Sequence, residues 1–207
     1  MKLTIGSGDV KDLLSKNNTK AYQSLMQKFV SSDIQIYNAF ASPIDALRTG
    51  AILEERYLQI LPDNYFAQYK VISKEMDCMR STLDFALIEK GKLKTFEELK
   101  TIFFTDFIEH IEPLKNMDYK NVLEVIKKKF KSYYNQIQQQ LYVSELSEAQ
   151  LVFLTVTSYD DDVNYLREIK ENDYFKIEIK RDEKVIDLIK QKAQIFQLIR
   201  NNILNNE

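Results

Sequence analysis

The sequence predicts an α/β fold: a central mixed β-sheet flanked by helices. Three observations carry that expectation. Helical and strand periodicities interleave along the chain, which places helices against a sheet rather than in a separate bundle. The run "AQLVFLTVTSY" is apolar without alternation, as a strand covered on both faces should be. At 207 residues with 44% hydrophobic side chains, the chain can bury a substantial core.

The elements follow in order. "SGDVKDLLSKNNTKAYQSLMQKFV" opens on a Ser/Asp cap signal and sets Val10, Leu13 and Leu14 at helical spacing. "SPIDALRTGAILEERYLQIL" predicts a second helix from Ser42, with Pro43 in the first turn and Ile44, Leu47, Ile52, Leu53 and Tyr57 on its apolar side. "YKVISKEMDCMRSTLDFALIEKGKL" reads as two strands with Lys/Gly punctuation at 90–92. "TFEELKTIFF" fits helix or strand equally, and "TDFIEHI" reads as the third strand. "KNVLEVIKKKFKSYYNQIQQQLYVS" predicts one long helix, with Val122, Leu123, Ile126, Phe130, Tyr133, Ile137 and Leu141 on one broad face. After the apolar strand, "DYFKIEIKR" alternates Phe175, Ile177 and Ile179 inward. Asp182 then caps a last helix over 183–204. We find no repeat, low-complexity tract or linker, so one domain over 1–207 is expected.

The charge balance is close to neutral: 29 basic against 31 acidic residues, a formal net charge of −2. Composition therefore gives no support for nucleic-acid binding, which would need a local basic surface. The one cysteine, Cys78, excludes an internal disulfide and a cysteine-rich metal site, and reads as a small buried hydrophobe. No apolar run reaches the roughly 20 residues that span a bilayer, and "MKLTIGSGDV" has no signal-peptide core. A cytoplasmic location with no membrane partner is expected.

Phosphodiester hydrolysis assisted by Mg²⁺ needs carboxylates converging at one sheet edge. Asp84 in "STLDF" and Glu109 in "FIEHI" lie on neighbouring strand candidates, Glu54 on the preceding helix and Gln136 on the helix that follows. As a strand residue His110, the only histidine, faces away from Glu109. "KKKFKSYY" could touch a phosphate backbone, but reads better as a solvated helix face with Phe130 and Tyr133 in the core. "YDDDVNYL" could bind a cation, but reads better as a turn and cap.

The segments "IGSGDVKDLL", "TGAILEERYLQIL", "STLDF", "IEHIEP" and "YYNQIQQQLYV" occur in an order that resembles the lambda-phage-type (YqaJ-type) alkaline exonucleases of the PD-(D/E)xK superfamily. The resemblance implies a restriction-endonuclease-like core and a Mg²⁺- or Mn²⁺-dependent exonuclease acting on linear double-stranded DNA in phage recombination or DNA processing. It implies a phage-encoded protein in the host cytoplasm, a toroidal trimer, and a single-strand annealing protein as partner. Position by position, it makes Asp84 and Glu109 metal ligands, lends the His110 carbonyl to the metal, sets Gln136 beside the attacking water, and has Glu54 support the site. Four departures go with it. The family's catalytic lysine falls on Ile111. Its phosphate-binding Ser falls on Gly8, after Ser7, and the accompanying Arg would fall at or before Met1. The Gly after the metal-binding Asp is Phe85. Either a lysine from elsewhere reaches the site, with Lys70 and Lys115 nearest in sequence, or the fold has lost catalysis and serves as a DNA- or protein-binding accessory factor. A third reading discards the resemblance and leaves an interaction protein without an acid cluster.

Overall fold

The computed structural model describes residues 3–31, 40 and 42–206. A five-stranded sheet in the order β1-β2-β3-β4-β5 is its centre. The strands are β1 (Tyr65–Ile72), β2 (Arg80–Glu89), β3 (Lys92–Phe103), β4 (Glu148–Val156) and β5 (Tyr174–Lys180). β3 and β4 pair in parallel and the other neighbours are antiparallel, so the sheet is mixed, as expected. Before it come α1 (Val10–Leu13), α2 (Lys20–Val30) and α3 (Asp45–Leu58). The parallel crossover carries α4 (Phe104–His110), α5 (Tyr119–Lys129) and α6 (Lys131–Ser144). α7 (Asp161–Leu166) links β4 to β5, and α8 (Glu183–Leu204) ends the described chain.

β4 is buried on both faces. Leu151 and Phe153 pack beneath α4, α5 and α6, whose Phe107, Ile126, Ile137 and Leu141 share that core. Val152 and Leu154 pack on the opposite face with Leu53 and Tyr57 of α3. A third cluster joins α1 and α2 to Ile186, Ile189 and Phe196 of α8. Cys78 is fully buried there, as expected. Asp182 caps α8 by accepting from the Val185 amide. Ile177 and Ile179 point inward from β5.

Four expectations are corrected. "TDFIEHI" is not a strand: it forms most of α4, burying Phe107 and, just past its end, Ile111. The third strand, Lys92–Phe103, takes all of "TFEELKTIFF" but its last residue and extends the hairpin after Lys90 and Gly91, both at positive φ. That turn is the conformation that joins two-residue hairpins. The long helix breaks at Phe130 (φ −113°, ψ 34°) into α5 and α6. α3 begins at Asp45 rather than Ser42, whose hydroxyl accepts instead from the Ile44 amide. "YDDDVNYL" contains a short helix capped by Asp160, and Asp161 pairs with Arg48 at 2.6 Å.

Candidate active site

The hairpin of β2 and β3 opens at one end. Their ladder runs from Glu89↔Lys92 to Phe85↔Glu97 and stops there. Beyond it, Asp84 Oδ2 accepts the Leu99 amide at 2.9 Å, so a carboxylate takes the donor that a continued ladder would have used. On the other side of β2, the partners run to Ala67↔Phe85 and resume at Tyr69↔Leu83. Between them sits Gln68, whose φ of +54° is uncommon for a residue with a side chain. Alternation slips at the same place: Leu83 and Ala86 pack in the α6-side core, while Phe85 packs with Tyr57 on the α3 side. A local break in the pleat thus turns Asp84 into the gap between strands.

Glu98 and Lys100 of β3 face the same gap. Lys100 Nζ lies 2.6 Å from Glu98 Oε1. α6 supplies two amides to the same carboxylate: Gln136 donates to Oε1, and Gln140 to Oε2 at 2.6 Å. Gln140 is fully buried and also reaches the Thr82 carbonyl at 3.4 Å. Glu54 arrives from α3 and accepts from Gln68 Nε2 at 3.2 Å. Glu54, Asp84, Glu98 and Lys100 therefore form one electrostatic cluster.

Burial and the Glu98 charge push the Asp84 carboxyl well above the usual carboxylate range, with Lys100 opposing and Glu54 adding to the rise. Burial and Glu98 push Glu54 up to about 7, again against Lys100. Desolvation pulls Lys100 down, but Glu98 and Asp84 outweigh it and hold it charged. Three carboxyl groups beside one ammonium leave excess negative charge, so the cluster keeps protons or gains a cation.

The donor set fits a hard divalent cation. Mg²⁺ binds through one or two carboxylates and completes its shell with water and phosphate oxygens, and Asp84 and Glu98 offer two. No histidine or cysteine touches the cluster, which disfavours softer metals. Among the described residues, no three His, Cys, Asp or Glu side chains are grouped to hold a metal by themselves.

The sequence-based set is thus brought together in part. Glu54, Asp84 and Gln136 meet. Glu109 and His110 lie on α4 instead of a strand end; Glu109 is exposed and approaches His110 Nδ1 at 3.6 Å. The charges acting on Asp84 are those of Glu98, Lys100 and Glu54, not Glu109. Ile111 is a fully buried core residue. Of the two lysines nearest in sequence, Lys115 pairs with Glu112 and Lys70 is exposed on β1. The residues missed are Glu98, Lys100 and Gln140. Their signal was the Glu-Leu-Lys spacing in "TFEELKTIFF", two residues apart and so on one side of a strand.

No family model matches the chain, and no curated protein matches it. Solved structures do. An alkaline exonuclease from Laribacter hongkongensis (LHK-Exo) superimposes with a TM-score of 0.64 at 16% identity, covering 99% of this chain and 91% of that one. The same enzyme in complex with dAMP gives 0.62 at 17%, with the same coverage. A phage-related exonuclease from Haemophilus somnus 129PT gives 0.60 at 17%, covering 98% and 96%. The chain has the fold of these exonucleases, which is the fold its motif order implied.

Proposed function

We propose that this protein is a metal-dependent exodeoxyribonuclease acting on linear double-stranded DNA, in phage recombination or DNA processing. One observation carries the reading: Asp84, Glu98 and Lys100 converge where the β2–β3 ladder opens, with Glu54 and Gln136 beside them. The lysine that seemed replaced by Ile111 has its counterpart in Lys100. Lys100 beside Glu98 supports catalysis over a catalytically inert accessory protein.

Asp84 and Glu98 would hold Mg²⁺ or Mn²⁺, which supplies Lewis acidity to polarise the scissile phosphate and acidify the attacking water. Gln136 and Gln140 fix the Glu98 carboxylate, so its oxygens need little reorganisation on binding. Lys100 keeps its charge and presents N–H donors that orient a water or a phosphate oxygen. Glu54, with its pKa near 7, can take a proton close to neutral pH. The test is a time course on linear 5′-phosphorylated duplex with Mg²⁺ or Mn²⁺, comparing wild type with Asp84→Ala. Degradation by wild type alone supports the reading; an intact duplex in both, across salt and pH, sinks it and returns weight to the accessory-factor alternative. A toroidal trimer and an annealing-protein partner remain part of the proposal by fold resemblance, and a monomer in light scattering would remove ring-type processivity.

A further inference from the structure

Two cavities continue away from the carboxylate cluster along the C-terminal half of β3. The first, about 270 Å³, has Glu54 and Lys100 in its wall. The second, about 410 Å³, is lined by Phe103, Phe130, Tyr159, Asp106 and His110. They share Thr101 and Tyr133, so they form one cleft. From Glu98 to Phe103 it follows roughly 16 Å of strand, at about 3.3 Å per residue.

The chemistry changes along that length. At its start lies a lysine; at its far end lie aromatic rings in two pairs. Phe130 and Tyr133 stack at 6.1 Å with 14° between planes. Phe103 and Tyr159 pair at 5.3 Å and 33°. Lys100 Nζ sits 5.5 Å from the Tyr133 ring centroid, so this ring joins the two chambers. Tyr159 is 44% exposed, an aromatic surface left open to solvent. Of the polar groups in the far chamber, the Asp106 carboxylate repels a phosphate. Asp106 is exposed and has no ion pair or side-chain hydrogen bond among the described residues. His110 Nδ1 is buried without a hydrogen-bond partner.

We infer that the far chamber binds a nucleobase of an unpaired DNA segment whose backbone passes Lys100, with Tyr159 and Tyr133 as its stacking surfaces. The inference rests on the nuclease reading and deepens it. An aromatic chamber with a carboxylate repels phosphate and accepts bases, whose ring faces stack and whose exocyclic amines donate to a carboxylate. Its continuity with the catalytic cleft favours a strand of the same substrate over an unrelated ligand. Cytosine, with its exocyclic amine, is favoured over thymine.

The experiment uses the full chain without divalent metal, so that nothing is cut, and a duplex carrying a short single-stranded tail with 2-aminopurine. Binding to wild type and Tyr159→Phe quenches the fluorescence. Tyr159→Ala weakens binding about ten-fold. An abasic residue in place of the 2-aminopurine weakens wild type equally and Tyr159→Ala little further. Asp106→Ala weakens a cytosine tail and leaves a thymine tail unchanged. Equal affinity of Tyr159→Ala and wild type, or of abasic and intact tails, overturns the chamber. If wild type with Mg²⁺ still degrades linear duplex in that case, the nuclease reading stands alone. If wild type neither binds nor cuts DNA, both fall.

Discussion

Glu97 and Glu98 are neighbours on β3, both buried, and opposite in environment. Glu97, 3% exposed, faces α3. Tyr57 donates to it at 2.7 Å, Tyr65 at 3.4 Å, and Lys176 of β5 grips both its oxygens at 2.8 and 2.9 Å. One negative charge meets one positive charge and two hydroxyls, and Lys176 also lies 5.5 Å from the Tyr57 and Tyr174 rings. Glu98, 1% exposed, faces α6 with comparable partners: one lysine and two amides. The difference lies one shell further out. Around Glu97 the charges balance; around Glu98, Asp84 and Glu54 add carboxyl groups that a single lysine cannot neutralise. A buried carboxylate is therefore neutralised in place or left in an acid-rich cluster according to the other acids that share its space. Burial alone does not distinguish them.

Four substitutions break or sharpen that comparison. The largest effect is expected at Lys100. Lys100→Met lowers the rate of duplex degradation by about 10³-fold, read in single-turnover assays, while thermal unfolding shows a folded protein. Retained activity would move the lysine's role elsewhere. On the opposite face, Lys176→Ala leaves Glu97 buried without its cation and costs about 3 kcal/mol of stability, measured by urea unfolding. Activity per folded molecule should stay within about two-fold.

A smaller effect with a sign follows from Glu54. Its folded pKa of about 7 lies above the ordinary 4.5. Both folded and unfolded states hold the proton below pH 4.5, so Glu54 costs nothing there. Between 4.5 and about 7 only the folded state keeps it, so stability falls with rising pH and then levels. Glu54→Gln should leave stability unchanged at pH 4 and raise it by about 1–3 kcal/mol at pH 8 in metal-free buffer. Calorimetry at the two pH values reads this, and an equal shift at both would show that packing is responsible instead. The smallest effect belongs to Glu109→Ala, exposed on α4: within about 0.5 kcal/mol of wild type, with activity intact. A large loss of activity there would restore the strand-end site that α4 displaced.

The path of the third strand shows what could be read and what could not. In "TFEELKTIFF", apolar and charged residues fit either period, and a ten-residue window does not separate strand from helix. The Lys90-Gly91 turn was visible and pointed to a hairpin partner immediately after it. "TDFIEHI" carries aromatic and β-branched residues that favour strands. Tertiary packing overrode them by burying Phe107 and Ile111 under the crossover helices. The Glu98-x-Lys100 spacing stands in the segment that fits either period, whereas the Glu109-x-Ile111 spacing lies on α4 and its end.

By itself the sequence determined the α/β class, the buried character of β4, the cap of the last helix, and the grouping of Glu54, Asp84 and Gln136. Those follow from periodicity, cap chemistry and motif order, which are local or sequential. The tertiary structure alone decided which glutamate and which lysine join that cluster, that the ladder opens at Phe85↔Glu97 to admit the Asp84 carboxylate, and that an aromatic chamber lies beyond it. These depend on strand register and helix packing between residues far apart in the chain. The physical reason is that a carboxylate's reactivity is set by the charges and dielectric around it, and those are contributed by β2, β3, α3 and α6 together.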